Sequence, residues 1–228
     1  MSHSKTSSKF SFNFRYIVYL YVFIGFNLAL SSSYDDFFKA IEFDDAQTVK
    51  QLLLRGFDPN TPSSDLQSPL ILAIQKGATH VSQVLAANPQ LQVNRPNPND
   101  ETPLMLAALK GQESLVLALI KREADVNRPG WTPLHYAATG GHVAIARLLL
   151  EHHAYIDAES PNGTTPLMMA AYYGTPEITK LLLEEGADPT IRNHNGLTAL
   201  DFATNGPHRE SARYVDAFIK AAAAKRAH

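Results

Sequence analysis

The side chains able to do acid–base or metal chemistry are nine histidines and 22 carboxylates; there is no cysteine in the 228 residues. Without a thiol the chain has no thiolate nucleophile, zinc–thiolate site, disulfide framework or lipoprotein acylation site. The histidines do not converge. His152 and His153 follow Glu151 directly, so on a helix they face different sides, and the H-E-x-x-H spacing that puts two imidazoles on one face is absent. A solvated helix end near the negative pole of the helix dipole explains them more simply. The acidic pairs Asp35-Asp36 and Asp44-Asp45 at the amino end read as solvated charge on an exposed cap. No G-x-S-x-G, P-loop or G-x-G-x-x-G string occurs. Asn162-Gly163-Thr164 is a glycosylation sequon, which matters only in a eukaryotic source. The residues therefore predict no catalytic group, no metal ligand and no cofactor.

The elements that position these side chains announce themselves by repetition. The strings SPLILAIQKG from Ser68, TPLMLAALKG from Thr102, TPLHYAATGG from Thr132, TPLMMAAYYG from Thr165 and TALDFATNG from Thr198 recur at intervals of 34, 30, 33 and 33 residues. The clearest copies continue into apolar helical stretches such as VAIARLLLEHHA and then into turn strings such as DPTIRNHNG. A Thr at the helix start offers its hydroxyl to a free backbone N–H, and a Pro at the first helical position loses no hydrogen bond. Leu104, Leu134 and Leu167 are expected to point into a stack, and alanine pairs such as Ala107-Ala108 let neighbouring first helices approach. Gly77, Gly111, Gly141 and Gly174 suit the tight turn into the second helix. Gly163 and Gly196, each after an Asn, read as positive-φ hairpin tips. No single repeat can bury its own apolar face, so stacking must do so.

These strings resemble the ankyrin repeat, and the resemblance covers nearly all of the chain after its first 33 residues. The family's T-P-L-H-x-A-A pattern is matched best by Thr132 to Ala138, and its L-L-L-x-x-G-A-D element by Leu181 to Asp188. The resemblance implies an all-α solenoid of about six helix-turn-helix repeats, over residues 35–67, 68–101, 102–131, 132–164, 165–197 and 198–228. Asp35 would take the Thr position of a degenerate first repeat, with helices from Phe37 to Phe43 and Ala46 to Arg55. It also implies that the His135 imidazole bridges backbone groups between repeats, and that His142 opens a second helix where the family commonly carries His.

Departures from the pattern make further expectations. Leu66 and Asp100 stand where the family has the turn Gly, so those two hairpins are expected to be less regular. Between Asn127 and Thr132 there are four residues where the other copies have seven, so that hairpin must be truncated and the row of tips notched there. Asn88, Pro89 and Gln90 lengthen the second repeat by one residue. Pro207 replaces the turn Gly of the last copy, and the ending FIKAAAAKRAH reads as a capping helix that fades into a mobile tail.

The amino end differs in kind. Lys5, Lys9 and Arg15 precede the apolar run from Tyr16 to Leu30, and no acidic residue comes before Asp35. Fifteen helical residues rise about 22 Å, short of a hydrocarbon core of roughly 30 Å. With Ala29, Ser31 and Ser33 as small residues for a peptidase, residues 1–33 read as a cleaved signal peptide and residues 34–228 as the mature domain, periplasmic or secreted; the alternative is a retained signal anchor over residues 16–30. Removing 33 of the 228 residues leaves 195, with 17 Lys and Arg against 22 Asp and Glu, a formal charge of −5. Such a body, whose only basic cluster is Lys220, Lys225 and Arg226, is a poor ligand for nucleic acid. Neither nucleic acid nor, after cleavage, a membrane is an expected partner, and the domain is expected to be a monomer.

What remains is surface for a protein partner. In the ankyrin architecture the hairpin tips and first helices line the concave side. There the exposed positions of this chain are Gln67, Gln75, Lys76, Glu101, Leu109, Lys110, Trp131, Thr139, Thr164, Tyr172, Tyr173 and Leu197. The expected partner-binding set is Trp131, Leu109, Lys110, Tyr172, Tyr173, Glu101 and Thr139, because Trp and Tyr are over-represented in binding hot spots. Leu72, Leu106, Tyr136, Met169 and Phe202, four residues after each helix-opening Ser or Thr, are read as core.

Overall fold

The computed structural model describes residues 32–226. Apart from Ser32 and Ser33, the signal peptide expected over residues 1–33 lies outside the described residues, as do the last two residues. Those described form helices joined by turns, with no strand. Helix α1 is described over residues 32–42 and pairs with α2 (Ala46–Leu54). Next along the chain are α3 (Pro69–Lys76) with α4 (Thr79–Ala87), α5 (Pro103–Leu109) with α6 (Glu113–Lys121), and α7 (Pro133–Gly140) with α8 (Val143–Glu151). The last pairs are α9 (Pro166–Tyr172) with α10 (Pro176–Glu184), and α11 (Ala199–Asn205) with α12 (Arg209–Arg226). The first helices pack in one row, α3, α5, α7, α9 and α11, and the second helices in another, from α2 to α12.

The helix-opening residues act as their chemistry predicts. The N–H groups of Ile71, Met105 and Met168 donate to Ser68 Oγ, Thr102 Oγ1 and Thr165 Oγ1 at 3.3, 3.3 and 3.4 Å. Leu70, Leu104, Leu134 and Leu167 are buried, and the pairs Ala107-Ala108 and Ala137-Ala138 are fully buried between first helices. Gly77, Gly111 and Gly141 adopt φ of 74, 70 and 72° at the turn into the second helix. Gly174 corrects the expectation, since it is not in the left-handed region. A Cβ there would lie 2.4 Å from the Ala138 carbonyl oxygen, so it is glycine because the neighbouring helix comes too close for a side chain.

The hairpins before α3 and α5 are regular, against expectation. Leu66 and Asp100 themselves take φ of 60 and 62°. Ser63 N–H donates to Gln67 O and Asn97 N–H to Glu101 O at 2.9 Å. The glycine-tipped hairpins show the same bonds, Ser160 to Thr164 and Asn193 to Leu197, both at 3.0 Å. The flanking ladder fixes the tip, and a side chain there is strained without changing the path. Leu66 is 72% exposed, so its strain gains nothing from burial. The left-handed conformation costs an L residue about 1–2 kcal/mol, while a Gly adds about 0.5–1 kcal/mol of unfolded-state entropy. Leu66→Gly is therefore expected to raise stability by about 0.5–1 kcal/mol, read from the urea midpoint, and a lowered midpoint would refute the strain.

Adjacent repeats are tied by a ladder invisible in any one of them. Asn60, Asn94, Asn127 and Asp157 each accept a backbone N–H from the next repeat, from Gln92 (2.8 Å), Asp125 (2.9 Å), Tyr155 (2.8 Å) and Asp188 (3.1 Å). The lengthened connection at Asn88 to Gln90 is held from the following repeat, where the Arg122 guanidinium donates to the carbonyls of Ala86, Asn88, Pro89 and Leu91.

The acidic pair Asp44-Asp45 is not idle surface charge. Asp45 caps its own helix α2 through Thr48 N–H (3.0 Å). Asp44 caps the next repeat, accepting from Val81 N–H (2.8 Å) and His80 N–H (3.3 Å) at the start of α4, which has no side-chain cap of its own. Burial acts to raise the Asp44 carboxyl, but those N–H groups and the His80 ring outweigh it and hold it below the usual carboxylate range.

The ends depart from expectation too. Helix α1 is already helical at residue 32, upstream of Asp35, with Tyr34 stacked on Phe38 at 4.6 Å and its hydroxyl donating to Pro62 O at 3.2 Å. At the other end the chain does not fade, because α12 is continuous to Arg226.

Candidate functional site

The truncated segment before α7 is pinned on both sides. Arg128 reaches back to the tip of the preceding hairpin, its guanidinium donating to Asp100 O (3.0 Å), Oδ1 (2.8 Å) and Oδ2 (2.9 Å). On the other side a Cβ on Gly130 would sit 3.5 Å from Pro161, at the following hairpin. Missing three residues, the segment arches over nothing and leaves Trp131 at the edge of an open space.

That space is a cavity of about 210 Å³ lined by Leu109, Trp131, His135, Tyr136, Thr139 and Met169. It spans three successive first helices, α5, α7 and α9, on the side where the hairpins emerge. Trp131 is half-buried and does not protrude: its ring stands edge-on to His135, with centroids 5.1 Å apart. It is a wall of the cavity. His135 forms the floor, fully buried. Thr132 N–H donates to its Nδ1 (3.1 Å), which assigns the other proton to Nε2, 2.9 Å from the Thr164 carbonyl of the next repeat. Burial is the main cause that pushes this imidazole down to about 4, opposed by the backbone bonds to Thr164 and Ala158. Fixed neutral and bonded at both nitrogens, it bridges repeats and has no lone pair left for a base.

Of the residues singled out in the sequence, Leu109, Trp131 and Thr139 are brought together in the cavity. Glu101 joins at one remove, since the Tyr136 hydroxyl donates to its Oε1 at 3.1 Å. Burial, then the Glu101 charge, raises the Tyr136 phenol. Lys110 is exposed at the C-cap of α5. Tyr172 and Tyr173 sit one repeat along, outside the cavity: their rings meet at 4.6 Å, Tyr172 lies 6.4 Å from Phe202, and Tyr173 is 58% exposed. Two residues read as core, Tyr136 and Met169, are half-buried and line the cavity. Thr164, expected at the surface, is buried. His142 repeats the His135 theme, its Nε2 lying 3.0 Å from the Leu109 carbonyl.

A second cavity, of about 350 Å³, lies toward the amino end on the same side, among Tyr34, Phe38, Leu72, Gln75 and Lys76. Gln67 lines it, and its Oε1 is buried without a hydrogen-bond partner. Among the described residues no three His, Asp or Glu side chains come together to hold a metal ion, and no helix is long and apolar enough to cross a membrane.

Comparison with known proteins agrees with this architecture. A family profile described as ankyrin repeats (3 copies) matches residues 37–129, 88–160, 125–193 and 155–218. The chain is 30% identical over 122 residues, 51% of its length, to the human transient receptor potential cation channel subfamily A member 1, of which that is 11%. It is 33% identical over 124 residues, 53% of its length, to the Xenopus tropicalis neurogenic locus notch homolog protein 1, of which that is 5%. To the mouse ankyrin repeat and SAM domain-containing protein 6 it is 34% identical over 143 residues, 61% of its length and 15% of that protein's. The chain thus spans a small part of each of these relatives. Ankyrin repeats typically serve as non-catalytic modules of protein–protein interaction. With the period, the paired helical rows, the bridging histidine and a profile match running from residue 37 to 218, the chain belongs to the ankyrin-repeat family.

Proposed function

We propose that this chain is a non-catalytic, monomeric binding module of the cell envelope, exported by residues 1–33, which engages one protein partner through the face made by its first helices and hairpins. The observation that carries the reading is the apolar cavity walled by Trp131, open on that face where three hairpin residues are missing. Tyr172, Tyr173 and Lys110 extend the same face and serve as the periphery of the contact. Scaffold, inhibitor or immunity protein, and folding helper all use such a surface without chemistry. Export is supported by the basic residues before the apolar run from Tyr16 to Leu30 and by the acidic balance of residues 34–228.

The test is to express the full chain in its native host, isolate it from the envelope fraction, and determine both its first residue and the protein that co-purifies with it. A mature chain beginning at Ser32 or Tyr34, recovered with one stoichiometric protein partner, is the expected result. Intact Met1 in the membrane fraction would instead establish the anchored form with residues 16–30 retained. A purely cytoplasmic chain would refute export, and reproducible recovery without any partner would refute the binding role.

A further inference from the structure

We propose that the cavity walled by Trp131 is a socket for one bulky apolar side chain of the partner, and that the Glu101 carboxylate at its rim receives a basic residue placed close to that side chain in the partner's sequence. This rests on the protein-binding reading and gives the partner its chemistry.

Size comes first. An apolar cavity of about 150 Å³ holds a benzene molecule, so about 210 Å³ accepts the side chain of a leucine, methionine or phenylalanine and excludes a whole helix. The state of the lining then decides polarity. Each polar group in the wall is already spent within the protein. His135 is bonded at both nitrogens, the Tyr136 hydroxyl donates to Glu101, and Thr139 Oγ1 donates to His135 O at 2.8 Å. A polar guest would leave water and find no partner, whereas an apolar guest loses nothing.

Charge at the rim supplies the second half. Glu101 accepts only neutral donors, the Tyr136 hydroxyl on Oε1 and Asn97 Nδ2 on Oε2 at 2.7 Å. A carboxylate has about four acceptor sites, so capacity remains for a cation. The one guanidinium nearby, Arg128, is engaged by Asp100 as a bidentate pair, which leaves two carboxylates against one base on this lip. Glu101 and the socket are separated by the length of the Tyr136 side chain. In an extended partner, side chains on one face recur about every 6.6 Å. The basic residue then falls two positions from the apolar one, or three to four positions away if the partner is helical.

Trp131 is the single tryptophan of the chain, so its fluorescence reports on the socket alone. Protein purified after expression of the full chain is panned against a phage library of random dodecapeptides, and the enriched peptides are synthesised and titrated. Enriched peptides are expected to pair a bulky apolar residue with Arg or Lys at those spacings and to shift the Trp131 emission. Thr139→Leu, which fills the socket from its rim and keeps a helix-favouring residue on α7, is expected to weaken them by roughly thirtyfold at an unchanged melting midpoint. Glu101→Gln is expected to weaken them several-fold, and neutralising the peptide's basic residue should then cost nothing more. Peptides that bind with Trp131 emission unmoved, or equally well to Thr139→Leu, overturn the socket while leaving the protein-binding reading intact. Enrichment without a basic residue overturns the role of Glu101. A library that yields no binder overturns both the socket and the reading beneath it.

Discussion

Leu134→Ala is expected to lower the stability of the protein by roughly 2–5 kcal/mol through lost burial and the void left behind. Leu134 is fully buried at the start of α7, whose row has α5 on one side and α9 on the other. In a linear array, stability is a sum of repeat and nearest-neighbour terms, so a central truncation weakens two interfaces at once and an end truncation weakens one. The equivalent residue of the last repeat, Leu200, is only half-buried, and Leu200→Ala should cost visibly less. Deleting the chain from Ala221 onward removes exposed positions and should stay within about 0.5 kcal/mol. Urea denaturation followed by helical circular dichroism ranks the three. Equal losses for Leu134→Ala and the tail deletion would mean that the stack is not held where its buried leucines place it.

The fold was legible because its instructions are local and repeated. Each helix start carries its own cap and each first helix its own buried Leu and alanine pair, so five degenerate copies average out their errors. The misread hairpins at Leu66 and Asp100 show what this logic omits. Glycine is the cheapest occupant of a positive-φ tip, but the flanking backbone bonds dictate the tip, and a costlier residue is carried along. The ladder from Asn60 to Asp157 was hidden for a different reason, since side chains that bond backbone more than 25 residues away have meaning only after stacking has set the distance. At the candidate site, register placed Leu109, Trp131 and Thr139 on one face. It could not tell a projecting ring from a wall, nor show that Tyr136 and Met169 are uncovered, because depth depends on how far a missing loop would have reached.

The same helix makes the protein sensitive to acid. Stability is expected to fall as pH drops from about 6.5, the ordinary histidine value, to about 4, the value to which burial holds His135. Within that window the unfolded chain binds a proton at this residue and the folded chain does not, so each step down in pH favours unfolding; above it both states are neutral and the contribution is complete. A shift from 6.5 to about 4 corresponds to at most about 3 kcal/mol, at about 1.4 kcal/mol per pH unit. Geometry gives the reason. Protonation places a hydrogen on Nδ1, where the Thr132 N–H now donates, so two donors would face each other in a water-free site and the bridge to Thr164 would carry a buried charge. Carboxylates held below the usual range, Asp44 among them, contribute only to losses at still lower pH. Asp157 acts in the opposite sense, because burial raises it and its protonation relieves the folded state. Measuring urea midpoints from pH 7.5 to 4.5 in an Asp157→Asn background, with and without His135→Gln, isolates the effect. The His135→Gln protein should start less stable yet lose little more across the window, and an equal slope in both proteins would show that the acid sensitivity lies in some other group.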